Sequence, residues 1–277
     1  MLTATLLALG AAVLHAGWNL VVKQSGDRWL ALWGLFTAGG LIGLPYTVIA
    51  TASGDLDLTA WSWAAASGVV HTIYIARLAR TYEIADFSVT YPIARSTGAL
   101  VAAIGGLVLL GDRLSTVSLI GIFVVLIGMA ALSGHVQWRH VWPALIVGFL
   151  IGTYTVIDSQ GARTTAGSAY AMAIFVTGGI GTTVHGVVGG KWKAMTGSIR
   201  ESWRHYLLTG AASLVTYWMV LLAVRRAPVG YVTALRESSV VFATFIGWKF
   251  LHERSGIRRI TASLVMVAGL ATLVVGR

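Results

Sequence analysis

Long apolar runs alternate with short polar breaks along the whole chain. Ten such runs can be marked, at about 2–23, 29–52, 60–80, 86–110, 115–134, 141–161, 167–189, 204–224, 228–250 and 257–276. Each is close to the ~20 residues that an α-helix needs to cross the hydrocarbon of a bilayer. The breaks are short, the longest running from Lys191 to Trp203, so no soluble domain fits between them. The pattern predicts an all-α polytopic membrane protein with ten transmembrane helices.

The runs repeat. Shifting the sequence by 141 residues places Arg95 on Arg236, Gly106 on Gly247, Leu110 on Leu251, Asp112 on Glu253 and Arg113 on Arg254. Apolar identities are cheap in such a chain, but two arginines at matching depth and two acidic-Arg pairs at matching ends are not. The repeat divides the chain into 1–135 and 136–277, five runs each, as one integral membrane unit. Because five is odd, the second set must enter the membrane from the opposite side. The two sets are expected to be inverted repeats, a common plan of secondary carriers.

Composition agrees with the pattern. Hydrophobic residues make up 56% of the chain, charged residues 11%, and the mean hydropathy is +0.78. Such values describe a protein whose apolar surface faces lipid. Many of the 33 glycines are spaced for close helix packing, as in Gly39-x-x-x-Gly43, Gly148-x-x-x-Gly152 and Gly186-x-x-x-Gly190. They would serve a monomer or a homodimer equally. The absence of cysteine excludes disulfides and thiolate metal sites. The net charge of +10 is spread one or two residues per loop, which suits anionic lipid headgroups and not nucleic acid. No Lys or Arg precedes Lys23, so a cleaved signal peptide is not expected.

Ionisable groups inside a bilayer are costly unless paired or hydrated, so each is a functional candidate. Arg95 and Arg236 come first, either as a two-pronged grip on a carboxylate or phosphonate or as structural struts. Glu237 follows Arg236 directly, and neighbours on a helix point about 100° apart, so the two are not an ion pair. Glu237 must find another partner (Arg95 is one option), take up a proton, or meet a cationic group. His15, Trp18 and Asn19 share one face of the first run, a polar-aromatic face suited to a cavity. Tyr154 and Asp158 are spaced alike in the sixth run, where Asp158 reads as a solvated or capping carboxylate near the end. Tyr74, Tyr91, Trp218, His71 and Tyr217 are further wall candidates. Pro92 is placed to kink the fourth helix beside Arg95. Asp112-Arg113 and Glu253-Arg254 read as structural turns, or as gates, with Ser115 and Ser255 as helix caps. No metal site, cofactor or enzyme motif is expected.

The H-A-G-W-N face of His15 to Asn19, the Y-P-I-A-R of Tyr91 to Arg95 and the L-R-E-S-S of Leu235 to Ser239 have a familiar look. With ten runs in two halves and acidic-Arg turns after the fourth and ninth, the whole chain resembles the drug/metabolite transporter superfamily in its EamA-like branch. The resemblance implies a proton-driven or facilitated carrier of small metabolites in a bacterial plasma membrane. Its cavity would lie between the halves, lined by spans 1, 3, 4, 6, 8 and 9. It implies cytoplasmic termini, whereas loop positives, thirteen on one side against five on the other, favour an external amino terminus. The expected substrate is a small anionic or zwitterionic, amino-acid-like solute, with protons as a possible second cargo. The alternatives are a multidrug or cation exporter using Glu237 and the aromatics, and a lipid flippase.

Overall fold

The structure, a computed structural model, describes residues 1–23, 25–84, 87–133, 138–242 and 257–276. Among these residues the chain forms ten helices. They are α1 (Leu2–Lys23), α2 (Arg28–Ala52), α3 (Leu58–Ile84), α4 (Phe87–Leu109), α5 (Thr116–Ser133), α6 (Trp138–Thr164), α7 (Gly167–Val188), α8 (Trp192–Val224), α9 (Val229–Arg236) and α10 (Ile257–Val275). No strand occurs among the described residues. Five helices, α1, α2, α6, α7 and α8, are long and apolar enough to cross a membrane. Large apolar side chains such as Leu41, Val48, Phe123, Phe149 and Leu264 lie exposed on the outside of the bundle, which suits lipid.

Polar residues set the helix ends. Asp27 accepts from Leu30 N–H at 3.0 Å and starts α2, and Asp57 accepts from Ala60 N–H at 2.8 Å and starts α3. Ser115 caps α5 through Ser118 N–H at 3.0 Å, as the sequence led us to expect. Gly111, at φ +67°, turns the chain after α4, a backbone state that favours glycine.

Two elements depart from the hydropathy pattern. The segment expected as the longest loop, from Lys191 to Trp203, is helical from Trp192 onward and forms the start of α8. At 33 residues, α8 is about 50 Å long, well beyond the hydrocarbon thickness. Met195, almost fully buried, anchors this extension against Gly186 of α7. The ninth apolar run, expected as one span, is interrupted. Helix α9 stops at Arg236, Glu237 forms a turn, and helical backbone resumes over 238–242. The bonds from Glu237 N–H to Ala234 and from Val240 N–H to Glu237 run three residues back, tighter than α-helical ones. By contrast, α4 is helical through Pro92.

The helices pair in a recurring way. Helix α1 packs on α8 and α9, and α6 packs on α3 and α4. Helix α2 packs on α7 and α8, α7 on α2 and α3, and α5 on α10. Each pairing maps onto another, or onto itself, when every helix is exchanged for the one five places along. Small residues allow the closest approaches. A Cβ on Gly40 would stand 2.7 Å from the Phe175 carbonyl oxygen, and one on Gly148 2.7 Å from that of Ala94. A Cβ on Gly39 would meet the Phe175 ring at 2.5 Å and one on Gly43 the Met172 side chain at 3.0 Å, so the Gly39 and Gly148 motifs are used inside the bundle. Gly40→Val should cost about 1–3 kcal/mol of stability by overpacking the α2–α7 contact. Thermal unfolding in detergent checks this. Gly17→Ala, where a Cβ meets nothing within 4 Å, is the matched comparison and should melt near wild type.

Candidate functional site

The polar side chains on otherwise apolar helices converge on one cavity enclosing about 1140 Å³ of space, open mouth included. Helix α1 contributes His15, Trp18 and Asn19, so the face expected from their spacing is real. The His15 and Trp18 rings meet edge-on at 4.7 Å. Helix α3 adds His71 and Tyr74, α4 Tyr91 and Arg95, α6 Tyr154, α8 Thr216 and Tyr217, and α9 Arg236. Helices α2 and α7, which the sequence did not place at the site, add Phe36 and Phe175. The cavity reaches the end of the bundle where α1 finishes and α2 begins, lined there by Val22 and Arg28.

One wall is aromatic. Phe36 stacks on Phe175 at 5.2 Å, His71 stacks on Tyr154 at 4.0 Å, and Tyr74 meets Tyr154 edge-on at 5.6 Å. Phe36 joins the two groups, 5.3 Å from His71.

The two arginines matched by the repeat are both 7% exposed, yet their surroundings differ. Arg95 grips Glu237 with two hydrogen bonds, Nε to Oε2 at 3.1 Å and Nη2 to Oε1 at 2.7 Å. This bidentate pair ties α4 to the turn after α9 and takes up the Glu237 carboxylate. Glu237 is 3% exposed and does not line the cavity. Arg236 lines it, and makes no hydrogen bond or ion pair with any described residue. Among the described residues, its buried guanidinium therefore has five donors and a charge without a protein acceptor. The turn at Glu237 directs the two neighbours differently: Glu237 goes to Arg95, and Arg236 to the cavity.

Trp218 sits elsewhere. Its indole N–H donates to Ser168 Oγ at 2.9 Å, joining α8 to α7, while its neighbour Tyr217 faces the cavity. Asp158 departs further from expectation. It is fully buried, not solvated, and accepts hydrogen bonds from Tyr170 at 3.2 Å and from Tyr217.

The other end of the bundle carries an ion-paired network. Asp112 pairs with Arg163 at 2.8 Å and accepts from Val229 N–H at 2.6 Å, capping α9 from the first half of the chain. Arg163 also donates to the carbonyls of Val224 at 2.9 Å and Ala227 at 3.3 Å. Arg163 lies nine residues beyond Tyr154 on α6, ~14 Å further along the helix. Arg113, beside Asp112, is exposed. Glu253, Arg254 and Ser255, the counterparts expected from the repeat, lie outside the described residues.

The model of the EamA-like transporter family matches residues 139–275, which is α6 through α10. Over those residues the chain is similar to the EamA-like transporter family, consistent with the drug/metabolite transporter superfamily. The match and the long apolar helices indicate an integral membrane protein. A solved structure titled "Crystal structure of protein" is similar over the full length, with a TM-score of 0.74. The two are 16% identical, and the match covers 99% of this chain and 98% of that one, so the likeness speaks for the fold alone. No curated protein matches the chain.

Proposed function

We propose that this EamA-like protein is a secondary carrier in a bacterial plasma membrane, moving a small anionic or zwitterionic, amino-acid-like solute by alternating access. Arg236 holds the anionic group, and the aromatic wall and the His15, Trp18 and Asn19 face shape the rest of the site. One observation carries this: a buried guanidinium faces the cavity with no acceptor among the described residues. Arg95, with its partner Glu237, is a strut that also lines the site.

The exchange symmetry of helix pairing supports two inverted five-helix repeats. A cavity reaching one end of the bundle and an ion-paired network at the other fit one state of an alternating cycle. Asp112→Ala removes the two links that Asp112 makes and leaves Arg163 its two carbonyls. We expect it to change turnover in proteoliposomes several-fold while solute affinity in detergent stays within about twofold of wild type.

The aromatic wall also suits a cationic drug. The carboxylate such an exporter was expected to use, Glu237, is held by Arg95. A thermal-shift screen separates the two. Amino acids, aminophosphonates and sugar phosphates should stabilise the wild type by mass action, and Arg236→Ala should lose the shift. Stabilisation only by quaternary amines, kept in Arg236→Ala, would make the protein a cation carrier.

A further inference from the structure

Among the described residues, Asp158 is the one fully buried carboxylate that neither the strut nor the solute site uses. It lies on α6 with no exposed surface and forms no ion pair with a described residue. Two phenols serve it: Tyr170 from α7 on Oδ1 and Tyr217 from α8 on Oδ2. From α3, Ser67 faces the same carboxyl, and the Ser67 hydroxyl stands 3.0 Å from His71 Nδ1. Asp158 itself does not line the cavity, but Tyr217 and His71 do. Two relays of one or two groups therefore join this carboxyl to the solute space. Tyr154, one turn earlier on the same helix, is a further titratable group near it. Helix α4 also packs on α6, and its buried cation, Arg95, is occupied by Glu237.

We infer that Asp158 is the coupling-proton site of the carrier, and that one proton travels with each singly charged anion bound at Arg236. This rests on the solute reading above. Counting both carboxylates as ionised and His15 and His71 as neutral, the buried charges among the described residues are Arg95 and Arg236 against Glu237 and Asp158, two of each sign. On that count the described part of the empty site balances. An anion on Arg236 leaves one negative charge in excess in a low-dielectric interior, and a proton on Asp158 removes it. Loaded and empty carriers then both change conformation without net buried charge. In the transfer, a hydronium ion in the cavity gives a proton to Tyr217 Oη while the hydroxyl hydrogen of Tyr217 passes to Asp158 Oδ2. Water is released, the phenol stays neutral, and the carboxyl ends protonated. Release reverses each step.

The test has two arms. In the first, infrared difference spectra of the purified full-length protein are recorded through a pH titration, with no solute added. A carboxylic C=O band should appear on acidification, be lost in Asp158→Asn and persist in Glu237→Gln. An undiminished band in Asp158→Asn overturns the assignment. Should that variant fail to fold, Tyr217→Phe serves instead, since losing the phenol must move the band; an unmoved band overturns it equally. In the second, proteoliposomes under an inward pH gradient are offered labelled amino-acid, aminophosphonate and sugar-phosphate probes. Wild type should concentrate an anionic probe at least tenfold more than Asp158→Asn, which should still exchange labelled probe for unlabelled probe loaded inside. Equal accumulation by both overturns the coupling. If wild type moves no probe, the solute reading fails, and the infrared arm still decides the proton site.

Discussion

Glu237→Ala is expected to lower stability by about 3–5 kcal/mol, the largest single-residue effect in the protein. The substitution leaves the Arg95 guanidinium 7% exposed and without the carboxylate that now takes two of its N–H groups. An isolated charge in a low-dielectric interior is costly, and removing both charges avoids that cost. The double variant Arg95→Met with Glu237→Leu should therefore recover most of the lost stability. Thermal unfolding of wild type, Arg95→Met, Glu237→Leu and the double variant in one detergent completes the cycle. A single variant that melts with wild type would mean that the pair contributes nothing.

Arg236→Met should behave in the opposite way. Its charge has no acceptor among the described residues to lose, so removing it relieves a buried cation and should raise the melting temperature of the empty protein. The same change should weaken binding of an anionic solute on the order of 100-fold, about 2.8 kcal/mol. Higher stability together with lost binding is the signature of a site held ready for a ligand at the expense of the fold. A drop in stability with binding retained would make Arg236 a second strut.

The contrast between these arginines was not legible in the sequence, where the repeat presents them as equals. Partner choice depends on the turn at Glu237, and nothing in Leu235 to Ser239 marks it, since neither glycine nor proline is present. The proline of α4, Pro92, lies within continuous helix. Apart from α8 and α9, the helices could be read to within a few residues, because a lipid-facing helix must be apolar over most of its length. The start of α8 could not: its Lys193, Arg200 and Arg204 look like a loop, and the buried Met195 is a single residue among them. The i, i+4 spacing of Tyr154 and Asp158 hinted at a shared inward face. The partners that bury Asp158, Tyr170 and Tyr217, come from α7 and α8, and only the packed bundle brings them there.

Solute exchange in proteoliposomes tests the central claim most directly, with wild type, Arg236→Lys and Arg236→Met compared for the probe that gives the largest thermal shift. A cation that holds the solute's anionic group predicts full exchange in wild type, partial exchange in Arg236→Lys, where the charge remains but the planar fork is lost, and none in Arg236→Met. Equal exchange by all three proteins would contradict the claim that Arg236 is the anion site.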